Sequence, residues 1–239
     1  RLVFASTEHG YEGTGRGFQL RFQPYLAQQC PDWRQLRLTE PIRYQSQDPL
    51  EQLIRRSFLL KLDLPDPAYD STQAVLLKHY QHHDWLAEPT KLQQVFALLS
   101  FAHYQTQVKD LLALIENAAL AVYTLEQNGQ LLGCMLLSSE GEFSAELAEQ
   151  IYQGKRRVQG HLLAQSLAFH LAEPGLACLK LARIMRIAIV PGLQQLGLGS
   201  QLLQWVSHEL SRRGYHYLGS SFGATPSLLG FWQRNAFLP

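Results

Sequence analysis

The chain has 239 residues, 46% of them hydrophobic and 17% charged, with a formal net charge of +1. These values describe a globular chain with material for a sizeable core, and they lack the basic excess of most nucleic-acid-binding domains. Cys30, Cys134 and Cys178 are odd in number and lack metal-ligand spacing, so neither a disulfide framework nor a metal site is expected, and a reducing, cytoplasmic setting is the default. No apolar run reaches bilayer length and the first residues lack the layout of a secretory signal, so no membrane partner is expected.

Residues 2–7 read as a strand feeding the glycine-rich loop from His9 to Gly17, and extended structure resumes over 18–22. Pro24, Pro31, Pro41 and Pro49 predict loops and short turns over 24–49. Asp48 then offers an N-cap and Pro49 a first helical position, for a helix carrying Leu53, Ile54 and Phe58. Residues 63–70 form another turn-rich connection. A boundary falls near residue 90, where Glu88-Pro89-Thr90 precedes the helical spacing of Val95, Leu98, Leu99 and Ala102. A second short helix is expected over 108–117. Residues 120–125 and 131–138 form a hairpin, because the Asn128-Gly129 pair between them suits a type I′ turn. Residues 145–171 are mostly helical, interrupted at Gly154 and Gly160. A strand near 184–190, a helix to 213, a strand over 217–222 and a helix over 227–235 complete the pattern. That order predicts an α/β fold, a mixed twisted sheet flanked by helices.

The most informative stretch is 183–203, where an apolar strand meets a turn and Gln194-x-x-Gly197-x-Gly199 opens a helix. Strict alternation puts Met185, Ile187 and Ile189 on one strand face, and Ile184, Arg186, Ala188 and Val190 on the other. Leu202, Leu203, Val206 and Leu210 give the helix a buried face. Glycines without Cβ let a ligand lie against the backbone, and the unpaired N–H groups of a first helical turn favour a phosphate. The dinucleotide fingerprint needs Gly-x-Gly-x-x-Gly, and the order here is reversed. It resembles the pyrophosphate loop of the GNAT acyltransferase superfamily. The plain alternative is a connection that uses glycine only for close packing.

Further stretches sharpen the resemblance: His9-Gly10-Tyr11-Glu12-Gly13-Thr14-Gly15-Arg16-Gly17-Phe18, Pro41-Ile42-Arg43-Tyr44, Ala102-His103-Tyr104, Ala164-Gln165-Ser166-Leu167-Ala168, Arg186-Ile187-Ala188-Ile189 and Phe231-Trp232-Gln233-Arg234. Together they resemble the tRNA(Met) cytidine acetyltransferases and their eukaryotic RNA cytidine acetyltransferase relatives. The resemblance implies that 1–50 is the end of a helicase-like P-loop ATPase module, 51–90 a helical connector, and 91–239 a GNAT acetyltransferase domain whose final strand is missing. It implies acetyl-CoA as co-substrate, with ATP and Mg in the full-length protein, and N4 of the wobble cytidine of elongator tRNA(Met) as acceptor. No DNA partner is expected. Gly10 to Gly17 imitates a P-loop spacing, but Arg16 stands where lysine would and Gly17 where the metal-binding hydroxyl would. By resemblance Arg16 and Arg43 instead face ATP. In the acetyltransferase part, Ile187, Ala188 and Ile189 would meet the pantetheine arm through their backbone. Gln194, Gln195, Leu196, Gly197, Leu198, Gly199 and Ser200 would surround the diphosphate, and Ser227 and Arg234 would complete the cofactor site.

No residue is identified as the catalytic base. His103, His161 and His170 are candidates, each with an alternative structural role. His79, His82, His83 and Asp84 could be drawn as a metal cluster, but their loop-like setting argues against it. Basic clusters at Arg55-Arg56, Lys155-Arg156-Arg157 and Arg212-Arg213 read first as solvated faces. Two other functions remain open: a stand-alone acetyltransferase of a protein or small amine, and a non-catalytic module that docks RNA or a helicase.

Overall fold

The computed structural model describes residues 2–5, 22–30, 32–38, 44–45, 47–60, 62–102 and 106–238. Among them one sheet is built from β1 (Leu76–Gln81), β2 (Leu120–Gln127), β3 (Gln130–Gly141), β4 (Lys180–Ile189) and β5 (Tyr217–Ser220), in that spatial order. Neighbours from β1 to β4 run antiparallel, and β4 pairs β5 in parallel. Helices α1 (Gln23–Gln29) and α2 (Pro49–Ser57) precede the sheet in sequence. Next, α3 (Pro89–Ala102) and α4 (Val108–Glu116) join β1 to β2, while α5 (Ala145–Tyr152) and α6 (Leu162–His170) join β3 to β4. Finally, α7 (Leu198–Arg212) joins β4 to β5, and α8 (Pro226–Arg234) follows β5. The result is the expected mixed sheet flanked by helices.

Local chemistry explains most boundaries. Asn128 and Gly129 both take positive φ, 51° and 77°, as a type I′ hairpin turn requires. Asp48 caps α2 by accepting from the N–H groups of Leu50 and Glu51 at 2.8 and 3.2 Å. Val95, Leu98, Leu99, Leu111 and Leu114 bury one sheet face together with Val122, Cys134, Leu136, Ala188 and Val190. Leu202, Leu203, Val206 and Leu210 of α7 bury the other, against Tyr123, Met135, Leu137, Ala182 and Ile184.

Several expectations are corrected. Residues 2–5 form no strand, and Phe22 is the N-cap of α1 rather than the end of an extended segment. The proline-rich stretch 24–49 holds α1, because a proline in a first helical turn has the φ the helix needs and lacks only an N–H that would be unpaired anyway. The 51–90 stretch is not a helical connector throughout. It contributes β1, which a sequence as polar as Leu-Leu-Lys-His-Tyr-Gln disguises because it is an edge strand with alternating exposure. His79 lies on that strand, and no group of potential metal ligands is present among the described residues. The last strand ends at Ser220 rather than 222. Most consequential, the alternation along β4 is broken. Leu136 pairs Arg186 while Leu137 pairs Ile184, so Met185 is an extra, bulged residue. Ile184 therefore shares the α7 face with Ile187 and Ile189, while Arg186 lies on the opposite face with Ala188 and Val190.

The chain leaves the sheet at Gly141 and returns at Lys180, although β3 and β4 are direct neighbours. The intervening α5 and α6 pack as an alanine-lined layer, Ala148, Ala164, Ala168 and Ala177, over Leu181. Glu140, 2% exposed, anchors that layer. One carboxylate oxygen pairs with the Arg183 guanidinium, and the other accepts from the N–H groups of Leu163 and Ala164 in the first turn of α6. Glu140→Ala leaves the guanidinium and two helix donors unpaired. It is expected to cost about 3–5 kcal/mol, which at about 2–4 °C per kcal/mol is readable in a thermal melt. A melt unchanged within error would refute that anchoring.

His79 sits half-buried against Tyr123, with ring centroids 4.7 Å apart. Burial first, then the charge of Arg213, lowers its pKa below the ordinary 6.5. The unfolded chain therefore takes up the proton first. Stability is expected to be full above about pH 6.5 and to fall as the pH drops through the lower, folded value. His79→Phe should flatten that part of a stability–pH profile measured by urea unfolding.

Candidate functional site

Strand β4 is paired with β3 along its length, but β5 accompanies it only as far as Ile184. The Ser220 hydroxyl donates to the Ile184 carbonyl at 3.1 Å, and this bond closes the fork where the two strands part. Beyond it, Val190 donates to the Leu132 carbonyl at 2.9 Å, so its backbone groups face β3. Alternation along an antiparallel ladder then points the N–H and C=O of Ile187 and Ile189 the other way, toward the unaccompanied edge. Ala188 faces β3 with its backbone and the core with its side chain, 6% exposed. The bulge at Met185 falls at the fork itself. Of the three residues expected to offer backbone contacts, Ile187 and Ile189 have outward-facing groups and Ala188 does not.

The edge leads through a short turn, Pro191–Leu193, to the glycine loop. Gln195 and Gly197 both adopt left-handed backbone, φ 65° and 83°. Gly197 is the N-cap of α7, and no side chain caps that helix. The N–H groups of Leu198, Gly199 and Ser200 form the first turn, which has no intrahelical acceptors. The two glycines serve differently. A Cβ on Gly197 meets nothing within 4 Å, so conformation alone demands glycine there. A Cβ on Gly199 would lie 3.5 Å from Phe231 and 3.7 Å from Ile189, in ordinary contact, on the surface between α7, α8 and the β4 edge. Leu198 turns its side chain into the core at 2% exposure, whereas Leu196 is 55% exposed. Gln194 is exposed, and its amide donates to the Ile189 carbonyl at 3.2 Å, which ties the loop to the strand.

Helix α8 flanks this junction through Phe231. It is held by an aromatic cluster in which buried Trp232 contacts Phe222, Phe231 and Phe237 at 5.6, 5.3 and 4.8 Å. Thr225 caps it, accepting from Leu228 N–H at 3.4 Å, and Ser227 lies exposed beside that cap. Arg234 is exposed at the other end of α8, its guanidinium folded back over Gly230. The structure thus brings together Ile189 and the start of α7 with Phe231 of α8, and sets Arg234 less than one helical turn beyond Phe231. Arg16, Arg43 and His103 lie outside the described residues. Sequence patterns did not reveal Ser220 or the bulged Met185, because neither carries a local signal.

Of the two described histidine candidates, His161 accepts a hydrogen bond at Nδ1 from Gly141 N–H, 3.0 Å, and packs on Phe143. That ties it to the β3 end of the insertion. His170 is exposed at the far end of α6. On the opposite face of β4, Arg186 pairs with Asp110 at 3.0 Å and contacts Thr106, which fixes the start of α4 beside the bulge.

Comparison with known proteins matches residues 1–61 to the family model described as RNA cytidine acetyltransferase NAT10/TcmA, helicase domain. Residues 94–212 match the model described as GNAT acetyltransferase 2. The tRNA(Met) cytidine acetyltransferase TmcA of Nitrosococcus halophilus is 44% identical over 242 residues, covering 100% of this chain and 32% of that protein. The one of Vibrio cholerae is 42% identical over 240 residues, covering 100% and 34%. The one of Haloarcula marismortui is 36% identical over 239 residues, covering 99% and 31%. The chain spans about a third of the length of these relatives.

The glycine geometry makes a folding prediction. Gly197→Ala should destabilise by about 1–2 kcal/mol through left-handed strain alone, whereas Gly199→Ala should melt at or above the parent temperature. Equal losses at both positions would refute the division between conformation and space.

Proposed function

The chain is homologous to the tRNA(Met) cytidine acetyltransferases, and from that premise we propose that it carries the acetyl-CoA site of an enzyme acetylating N4 of a cytidine in RNA, the wobble cytidine of elongator tRNA(Met). The observation that supports this best is the continuity of the unaccompanied β4 edge with the uncapped start of α7. An extended amide-containing arm can pair with the outward N–H and C=O of Ile187 and the N–H of Ile189 as a strand would, while the Ile189 carbonyl accepts from Gln194. A diphosphate can then meet the N–H groups of Leu198, Gly199 and Ser200 and the positive end of the α7 dipole. Gln194, bonded to Ile189, keeps the loop against the strand, and Gln195, Leu196 and Gly197 shape the cradle. Ser227 and Arg234 flank it from α8.

Acetyl-CoA brings an activated thioester, so the chain has to position, stabilise and move a proton. The exocyclic amine of cytosine is neutral and weakly nucleophilic. It adds to the thioester carbonyl, the C–N bond forms and the C–S bond breaks, and the proton lost from nitrogen is matched by one taken up by the departing thiolate. Outward N–H groups of β4 near the fork are suited to the developing oxyanion. The ATP and Mg of this reading belong to the helicase-like part, with Arg16 and Arg43 facing the nucleotide. Because the thioester is already activated, ATP is better suited to freeing the base from its stack, which costs a few kcal/mol.

Calorimetry with acetyl-CoA tests the site. Gly199→Glu should abolish binding while the thermal melt survives, and unchanged affinity would remove the assignment. Arg234→Ala should raise KM for acetyl-CoA several-fold, since a charged hydrogen bond contributes about 1.5–3 kcal/mol. A lower melting temperature with unchanged kinetics would make it structural. Transfer of labelled acetyl to tRNA(Met), but not to small amines or peptides, separates this reading from a stand-alone amine acetyltransferase.

A further inference from the structure

The insertion between β3 and β4 presents three consecutive cations at its tip, Lys155, Arg156 and Arg157, all exposed. Among the described residues none of them forms an ion pair or side-chain hydrogen bond. The acids on the preceding helix keep their charge but bond elsewhere: Glu149 accepts from Gln153 at 2.6 Å and Glu146 from Gln150 at 3.4 Å. Glu140 is buried against Arg183 and the start of α6. Adjacent like charges without an ion-pair partner repel, and a tip used only for solubility has no need to be fixed in shape.

This tip is fixed. Gly154 ends α5 in left-handed backbone, φ 71°, and the N–H of Lys155 bonds back to the Gln150 carbonyl at 2.9 Å. On the other side Gln165 clamps the loop: its oxygen accepts from Val158 N–H at 2.9 Å, and its amide donates to the carbonyls of Val158 and His161 at 2.8 and 2.9 Å. The cations are thus held by backbone bonds from both flanks while their side chains stay free. Their location is also specific. Leu163, in the first turn of α6, lies over Gly219 of β5, where a Cβ would come within 2.9 Å of it. The next residue, Ser220, closes the fork with Ile184. The basic tip therefore precedes a helix that starts directly over the point where β4 and β5 part.

We propose that the loop 154–160 is a phosphate-binding element that holds the backbone of the acceptor RNA beside the fork, through Lys155, Arg156 and Arg157. It rests on the RNA acetylation reading above. Arginine's planar fork matches a phosphate bidentately, and a rigid loop loses little order on binding. Phosphate contacts of this kind position a strand without reading its sequence, which leaves base choice to the fork itself.

The test uses the full-length protein carrying this chain, in parent form and as Lys155→Gln/Arg156→Gln/Arg157→Gln, with tRNA(Met) transcript, polyglutamate and acetyl-CoA as probes. For three phosphate contacts, the plot of log RNA affinity against log salt should flatten by about 2. KM for RNA should rise at least tenfold, with kcat, acetyl-CoA affinity and melting temperature unchanged. An Arg212→Gln control, an exposed cation at the end of α7, should leave the RNA terms near the parent values. An unchanged salt slope in a variant that still acetylates RNA would overturn the loop assignment and leave the RNA reading standing. Loss of polyglutamate binding with RNA affinity intact would overturn it in favour of an acidic protein partner. A parent enzyme that binds acetyl-CoA but neither binds nor acetylates RNA would overturn both.

Discussion

The candidate site depends on β4 having a neighbour on both sides at its start and on one side only at its end. Paired backbone is chemically silent, because its donors and acceptors are spent within the sheet. Ending β5 at Ser220 leaves Ile187 and Ile189 with groups facing outward, on a strand still held straight by β3. The extra residue at Met185 sits at the level where β5 stops. A bulge there increases local twist and turns the continuing strand away from its former partner. Without it, β4 could carry β5 along its whole length, and the edge would be lost.

Three clusters of charged side chains, two of them built on a buried carboxylate, hold helices to the sheet. Glu140 and Arg183 fasten α6 on one side, and Arg186 and Asp110 fasten α4 on the other. Farther across, Glu126 gathers Lys78, Lys91, Tyr80 and Thr124 where β1, β2 and α3 meet. Burial opposes ionisation of Glu126, yet the bonds from Lys78, Thr124 and Lys91 outweigh it and hold the carboxyl below its ordinary pKa. Such pairs add little net stability over apolar packing of equal volume. They do fix relative position, because a misplaced helix would strand a charge. That suits a site whose walls come from separate segments of sequence.

What could be read from the sequence was what is decided within a few residues. Asn128-Gly129 selects its turn by positive φ, Asp48 caps a helix two residues on, and Gln194-x-x-Gly197-x-Gly199 announces a strand-to-helix turn. What escaped was decided by distant partners. The face reversal at Met185 exists only because Leu136 and Leu137 skip it, and nothing in Ile-Met-Arg-Ile distinguishes a bulge from a regular strand. β1 was hidden because only one of its faces needs to be apolar, and its partner residues lie 40 to 50 positions later. Gln194 shows both levels: its place at the head of the loop is legible in the sequence, whereas the bond from its amide to the Ile189 carbonyl depends on how the turn folds back.

Net charge says little about the local distribution of charge. A net value of +1 averages over the whole surface, while a polyanion responds to the potential within about a Debye length, roughly 8–10 Å. Within that range Lys155, Arg156 and Arg157 stand together, and Glu146 and Glu149 of the preceding helix, still charged, accept from glutamine amides rather than from these cations. Elsewhere on the surface, cations such as Arg55 and Arg213 are neutralised by Glu51 and Glu209 one helical turn away. The clusters at Arg55 and Arg213 therefore hold ion-paired guanidinium groups, whereas the three cations of the 154–160 loop have no carboxylate partner among the described residues. The difference lies in whether an acid sits at helical spacing, which α2 and α7 provide and the 154–160 loop cannot, because it is not a helix.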